Sequence, residues 1–497
     1  MDLPVHVEPG GAEPLHRQVY AQIRGAILAG RLPPGSRLPP TRHLAAALAL
    51  SRNTVNEAYA ALLAEGYLEA RVGAGTYVAA LLPDELLAPH AAPANLQTPA
   101  PGLSTRRLSA WAGRIGAAVG PTFTPRRAIP LPYDFRPGLP AWDAFPAAVW
   151  RRLVAEVWEE IGPETLIYGD PAGYAPLREE IAAYLGRTRA VRCRPEQIVV
   201  VSGSQQALDL LARLTLDPGD AVAVEDPCYL GAQRVFSAAG ARLVPVPVDR
   251  DGLVVDALPV QAPRLLYVTP SHQYPTGAIL SLPRRLRLLE WAARTGALVV
   301  EDDYDSQYRY TGRPLESLQG LDSAGAVVYT GSFSTALFPA LRIGYAVLPP
   351  DLVDLYRAAK AAADREAASP LGHALALFMA RGHFERHLRR MQALYAARRA
   401  ALLAALAHDL PEAVPGPAES GMHLMIHLPA PLDDTRLVAA AARAGVGLYS
   451  ARPYYLHPPA QAGFLLGFAS LPETTIAEGI RRLRAVLLAE GALPAGP

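Results

Sequence analysis

The residues of this sequence that could do chemistry sit in a few short strings. Ser202–Gln206 reads SGSQQ, where the apolar run QIVVV passes into the amphipathic stretch SQQALDLLARLTL. Backbone amides at such a strand-to-helix turn can hold a phosphate, although glycine and serine also serve the turn's geometry alone. Glu301–Asp305 reads EDDYD at the end of the apolar run ALVV and supplies carboxylates and a tyrosine hydroxyl at one strand end. His383 and His387, in GHFERHLRR, have the i, i+4 spacing that could clamp a metal on a helix. No third ligand accompanies them, so no metal site is expected. Near the amino terminus, Arg52, Asn53 and Thr54 offer donors and acceptors suited to guanine, adenine or phosphate. The one lysine, Lys360, lies in the Ala-rich helical string LYRAAKAAADREA and is expected on the solvated surface.

Those strings need scaffolds, and 497 residues are too many for one ordinary domain. From Pro14 to Val78 the apolar pattern predicts three short helices and a hairpin. The first spans about Pro14–Ala29, the second is TRHLAAALAL with Thr41 as its N-cap, and the third is SRNTVNEAYAALLAEGYL with Ser51 as its cap. YLEARVGAGTYVA then reads as two strands about a Gly-Ala-Gly turn. Three helices and a hairpin make a winged helix-turn-helix, whose third helix presents Arg52, Asn53 and Thr54 to base edges. Arg42 and Arg71 suit phosphate contacts there. Residues 12–80 carry seven arginines against four glutamates, the sign DNA requires, while the whole chain has a formal charge of only +1.

Residues 81–132 are rich in Ala and Pro and read as a linker, with TRRLSAWAGRIGAAV a short helix resting on a neighbour. From Tyr133 to about residue 494, apolar strands alternate with amphipathic helices. That pattern predicts an α/β domain with a mostly parallel sheet covered by helices and, after about Ser369, a small α+β lobe. Two cysteines, Cys193 and Cys228, argue against a disulfide framework. No signal pattern or membrane-length apolar run is seen, so a cytoplasmic protein is expected.

The string LPPTRHLA, then LSRNTVNEAYAALLAEGYL and RVGAGTYVA, resembles the DNA-binding domain of the GntR family, with Ser51 and Gly75 inside the matching motif. Residues 133–494 resemble the fold-type-I aminotransferase-like domain of the MocR/GabR/PdxR kind of GntR regulator, in segments running in family order from FRPGLP at 135–140 to LGFASL at 466–471. The resemblance implies a pyridoxal phosphate site. Tyr229 would stack on the ring, the SHQYPTG loop at 271–277 would contact the ring oxygen, Asp302 would bind the ring nitrogen and Tyr304 the phenolic oxygen. Ser204, Gln205 and Arg342 would hold the phosphate, Tyr168 would reach it from a partner subunit, and Ser332, Ser334 and Thr335 would complete the cofactor site.

In GSFSTALFPALRIGY, Gly331–Tyr345, Thr335 stands where the family carries the cofactor lysine. A threonine hydroxyl is neither an amine nor a useful base near neutral pH, so no Schiff base and no transamination are expected. The family's Glu is Gln307 here, Cys228 replaces a glycine as a buried structural thiol, and an arginine for a substrate carboxylate is not evident, Arg452 being a weak candidate. The resemblance thus implies a transcriptional regulator that binds double-stranded DNA with repeated half-sites and forms a head-to-tail homodimer. Its effector would be a non-covalent pyridoxal 5'-phosphate or related vitamer. Two alternatives stay open: an aminotransferase using another base, and a regulator whose second domain only dimerises.

Overall fold

The computed structural model describes residues 5–8, 13–71, 74–82, 107–119, 131–160, 162, 166–312, 315–366, 369–429, 433–459 and 463–493. The chain divides into two compact units, Met1–Arg107 and Leu108–Pro497. The Pro-rich string APHAAPANLQTPAPG, at 88–102, lies outside the described residues.

In the first unit, helix α1 (Leu15–Leu28) buries Val19, Ile23, Ala26 and Ile27 along one face. Helix α3 (Arg52–Ala64) buries Val55, Ala58, Tyr59 and Leu62, the i, i+3, i+4, i+7 positions of one stripe. The Ser51 side chain accepts a hydrogen bond from the Thr54 backbone N–H and caps this helix. Helix α2 (Thr41–Ala47) differs from expectation: Thr41 is its first turn and Pro40 its cap. The Pro40 carbonyl accepts from the amides of His43 and Leu44 while its own backbone stays extended. Strands β1 (Leu68–Arg71) and β2 (Gly75–Val78) pair antiparallel and close the helical core, to which Leu68 and Val78 both contribute.

The second unit opens with α4 (Ala110–Val119), inside the segment expected to be a linker. Its Arg114 Nε donates to the Ala238 carbonyl at 2.9 Å, which seats the helix on α8 (Leu230–Ala239). The remaining elements before the sheet are β3 (Tyr133–Asp134), α5 (Ala147–Glu159) and α6 (Ala175–Arg189). An eight-stranded sheet follows, from β4 (Ile198–Val201), β5 (Ala221–Asp226), β6 (Arg242–Asp249), β7 (Gly252–Leu253), β8 (Leu265–Val268), β9 (Leu298–Asp303), β10 (Val327–Ser332) and β11 (Gly344–Val347). Their spatial order is β4-β11-β10-β9-β8-β5-β6-β7. The five strands from β10 to β6 run parallel, whereas β11 and β7 pair antiparallel with their neighbours. Every residue of β4, β8 and β11 is buried, as strands covered on both faces must be.

Helices α7 (Ser204–Thr215), α9 (Leu282–Thr295), α10 (Leu318–Leu321), α11 (Val353–Asp364), α12 (Ser369–Ala380) and the 27-residue α13 (His383–Asp409) complete the main body. A smaller lobe holds β12 (Val414–Pro415), β13 (His423–His427), α14 (Asp434–Arg443), β14 (Val446–Gly447), β15 (Tyr449–Ser450), β16 (Phe464–Gly467) and α15 (Glu473–Ala489), with β12-β13-β16-β15 antiparallel. Lys360 corrects its sequence expectation. It lies four residues after Tyr356 on the face of α11 that packs on α7, so it is fully buried, and its Nζ donates to Asp364.

Candidate functional site

A cleft of about 480 Å³ opens at the carboxyl ends of the central strands. Strand alternation decides which part of EDDYD reaches it. Glu301 and Asp303 face one way: Glu301 accepts from the Leu318 and Gln319 amides, and Asp303 pairs with Arg189 at 2.9 Å. Asp302 faces the other way, into the cleft. Its Oδ2 accepts from the Tyr267 hydroxyl at 2.7 Å, while its buried Oδ1 has no hydrogen-bond partner among the described residues. Burial pushes the Asp302 carboxyl up to about 6, against the lowering effect of the Tyr267 bond.

Of the aromatic rings that line the cleft, Tyr229, Tyr274 and Tyr304 form a chain of edge contacts. Tyr229 meets Tyr274 edge to face at 5.9 Å between centroids, and Tyr274 meets Tyr304 likewise at 5.6 Å. The Tyr304 hydroxyl lies 2.8 Å from His272 Nδ1, which is also 3.0 Å from both Asp305 carboxylate oxygens. A proton on Nδ1 goes preferentially to the carboxylate, so the hydroxyl's own proton is left to the cleft. The start of α7 and Arg342 also line the cleft. Gly203, at φ +122°, occupies the cap position of α7 and gives no side-chain cap, so the first amides of α7, with Ser204 and Gln205, face the cleft. A Cβ on Gly203 would lie 3.3 Å from Arg342 Nη2, so glycine is what lets that guanidinium approach the helix end. Ser332 and Ser334 line it as well.

Thr335 also lines the cleft and is almost wholly buried. Its hydroxyl donates to the Tyr304 carbonyl, and Gln307 Nε2 approaches the same oxygen at 3.4 Å. The cleft therefore brings together Ser204, Gln205, Tyr229, Asp302, Tyr304, Ser332, Ser334, Thr335 and Arg342. Tyr168 is not among its lining residues. It is 73% exposed, with the Arg365 guanidinium 4.7 Å above its ring.

Arg452 is turned away from the cleft and pairs with Asp434 at 3.2 Å, which removes it as a carboxylate clamp. His387 is buried with Nε2 on the Ala336 carbonyl, and His383 lies against Arg386, so the helical His pair does not converge. Among the described residues His272, Asp305 and His423 do cluster, and sequence reading missed them. His423 Nε2 faces the Pro275 carbonyl and His272 Nδ1 faces Asp305 and Tyr304, while the buried His272 Nε2 has no hydrogen-bond partner among the described residues. Also missed was Arg136, in FRPGLP, which lines the cleft while paired to Asp134 at 2.9 Å. Cys228 is fully buried, and burial pushes its thiol well up, as befits an inert structural thiol.

In the first unit Ser51, Arg52 and Asn53 are exposed at the start of α3, and Arg42 is exposed on α2. Thr54 Oγ1 is 2.9 Å from Ser51 Oγ, so part of its capacity goes to the cap. Arg71 bonds Glu69 and lies 4.6 Å from the Tyr77 ring centre. Gly75, at φ +115°, leaves room for Arg37, whose Nε would be 3.2 Å from a Cβ there. Arg37 thus joins the wing, and its backbone bridge to Tyr77 was invisible in the sequence.

Residues 142–483 match the model of aminotransferase class I and II, and residues 15–78 match the bacterial regulatory proteins of the gntR family. The probable rhizopine catabolism regulatory protein MocR of Rhizobium meliloti is 42% identical over 97% of this chain and 96% of its own length. The pyridoxine biosynthesis transcriptional regulator PdxR of Corynebacterium glutamicum is 32% identical over 96% of each. Among solved structures, the α-aminoadipate aminotransferase LysN of Thermus thermophilus, complexed with N-(5'-phosphopyridoxyl)-L-leucine, superposes with a TM-score of 0.71 at 32% identity, covering 78% of this chain and 98% of that one. A GntR-type DNA-binding unit joined to a fold-type-I aminotransferase domain, with regulators of this kind similar from end to end, places the chain in the MocR-type branch of the gntR family of transcriptional regulators.

Proposed function

We propose that the cleft of this regulator binds pyridoxal 5'-phosphate or a related vitamer non-covalently, and that occupancy alters DNA binding without transamination. One observation carries the reading: the cleft has both end groups such a ligand needs but no amine. Asp302 Oδ1 is a buried acceptor without a hydrogen-bond partner among the described residues, suited to take a protonated ring nitrogen. Arg342 and the open amino end of α7 suit a phosphate at the other end. The chain's one lysine, Lys360, is committed to Asp364 in α11 and is not among the cleft's lining residues.

When bound, the pyridine ring would supply an electron sink. The residues of this chain would orient it, Tyr229 by its face, Tyr304 by its hydroxyl proton and Asp302 by its charge. None of the lining residues offers the amine that would attach it. Tyr168 supports a second part of the proposal, a head-to-tail homodimer, because Leu166, Ile167 and Tyr168 form one exposed string at 69%, 64% and 73%. A tyrosine so exposed suits completion of a partner's phosphate site.

Calorimetry with pyridoxal phosphate and pyridoxamine phosphate tests the reading. Saturable binding is expected, with no covalent adduct in the mass spectrum after borohydride treatment, and with a shift in affinity for promoter DNA carrying repeated half-sites. A trapped lysine adduct would overturn it. The similarity to aminotransferases favours a second reading, an enzyme using another base. Turnover of an amino donor with added pyridoxal phosphate would establish that one instead.

A further inference from the structure

A second cavity, of about 530 Å³, lies beside the cleft, between the carboxyl end of α6, the loop after β9 and the start of α13. Its charged lining is Arg187, Arg189, Arg309, Arg389 and Glu385. Two of these cations are spent: Arg187 pairs with Glu385 at 2.9 Å, and Arg189 pairs with Asp303 from behind the wall. Among the described residues Arg309 and Arg389 have no acidic partner in contact. Seven buried side-chain polar atoms lack a hydrogen-bond partner among the described residues, and three of them, Arg309 Nε, Ser420 Oγ and Glu385 Oε2, belong to residues that line this one cavity. Buried polar atoms are rarely left unmet, so their convergence on one space large enough for a small molecule marks a binding site rather than a packing fault.

The placement of these groups is built into the fold. Arg309 and Ser420 face each other in an isolated antiparallel bridge, reinforced by the Tyr310 amide donating to the Glu419 carbonyl at 2.8 Å. Gly312, at φ +78°, lies against the Arg309 guanidinium, whose Nη2 would be 2.8 Å from a Cβ there. Gln392 Nε2 fixes the Arg309 carbonyl at 2.8 Å. Burial and the neighbouring Arg189 both hold the Arg309 guanidinium below its usual range, with Glu419 acting the other way, so this cation is short of negative charge.

We infer that this cavity binds a small organic acid that also carries an amino or hydroxyl donor, its carboxylate taken by Arg309, Arg389 and Ser420 and its donor by Glu385 Oε2. The site is separate from the cleft, yet Gln307 lines it and touches Thr335, which lines the cleft. An occupant would press on the wall the two spaces share.

The test uses the full chain carrying Arg342→Ala, which removes the cleft's proposed phosphate-binding arginine, and titrates L-glutamate and glutarate by calorimetry. Saturable binding of both is expected, with L-glutamate tighter because glutarate lacks the donor. Arg309→Gln should weaken binding about tenfold or more, the scale of one lost charge-assisted hydrogen bond. Arg389→Ala, at an exposed position that leaves the fold intact, should weaken it several-fold and decides the matter if the Arg309 variant does not fold. No saturable binding in the Arg342→Ala protein, or binding unchanged by Arg389→Ala and Arg309→Gln, would overturn the site. Equal affinity for the two acids would overturn the assignment of Glu385.

Discussion

Asp302 shows what it costs a protein to hold a buried carboxylate at the wall of a cleft. Burial holds its carboxyl at about 6 in the fold against an ordinary 3.8. A carboxyl raised on folding penalises the native state once pH exceeds the unfolded value, and the penalty grows until the folded group also ionises. The pH window is therefore about 4 to 6, above which the cost levels off at about 3 kcal/mol. Asp302→Asn keeps an acceptor for Tyr267 and removes that charge. Thermal melts should show the variant more stable than the parent by about 1–2 kcal/mol at pH 7, with the advantage gone near pH 4, while calorimetry shows pyridoxal phosphate binding lost. Thr335 is the other decisive position. Since its backbone already lines the cleft, Thr335→Lys should create a covalent pyridoxal phosphate adduct after borohydride, read by mass spectrometry. A variant that folds and binds but gives no adduct would mean that the threonine backbone does not aim a lysine at the ring.

At the scale of elements, the two helix starts on which the proposed binding rests are built in different ways. Helix α7 begins at Gly203 without a side-chain cap and so offers its amides to a ligand, whereas α3 begins at Ser51 with the cap made. Ser51→Ala should lower the stability of the first unit by about 1 kcal/mol, seen as an earlier melting step, because an N-cap hydroxyl is lost. Arg52→Ala should weaken specific DNA binding by about 1–3 kcal/mol and relax the sequence preference in a gel-shift panel. Arg42→Ala should instead weaken all DNA sequences alike and flatten the salt dependence by about one unit of slope. If Arg42 altered sequence preference, α2 rather than α3 would be reading bases.

At the scale of the whole molecule, regulation requires that ligand occupancy and DNA affinity be linked, and linkage requires arrangements that the ligand distinguishes. In the proposed head-to-tail dimer, the exposed string Leu166–Tyr168 would bear on the partner's cleft. Ile167→Asp should convert the dimer to monomer in sedimentation and weaken pyridoxal phosphate binding together. Loss of dimerisation with unchanged ligand affinity would show that the site is complete within one chain.

Much of this arrangement was legible in the linear sequence, because much of it is local. The stripe Val55, Ala58, Tyr59, Leu62 and the wholly apolar strands follow from backbone periods of 3.6 and 2, and a cap such as Ser51 needs only its own first turn. Family likeness then named the cleft residues. Only the tertiary structure decided what those side chains meet, because that depends on strand order and long-range packing. Lys360 is buried since α11 lies on α7; Arg452 is lost to Asp434; Arg37 is beside Gly75; Tyr267 reaches Asp302 across adjacent parallel strands. The bridge that sets Arg309 against Ser420 joins positions more than a hundred residues apart, a distance over which no sequence period carries information.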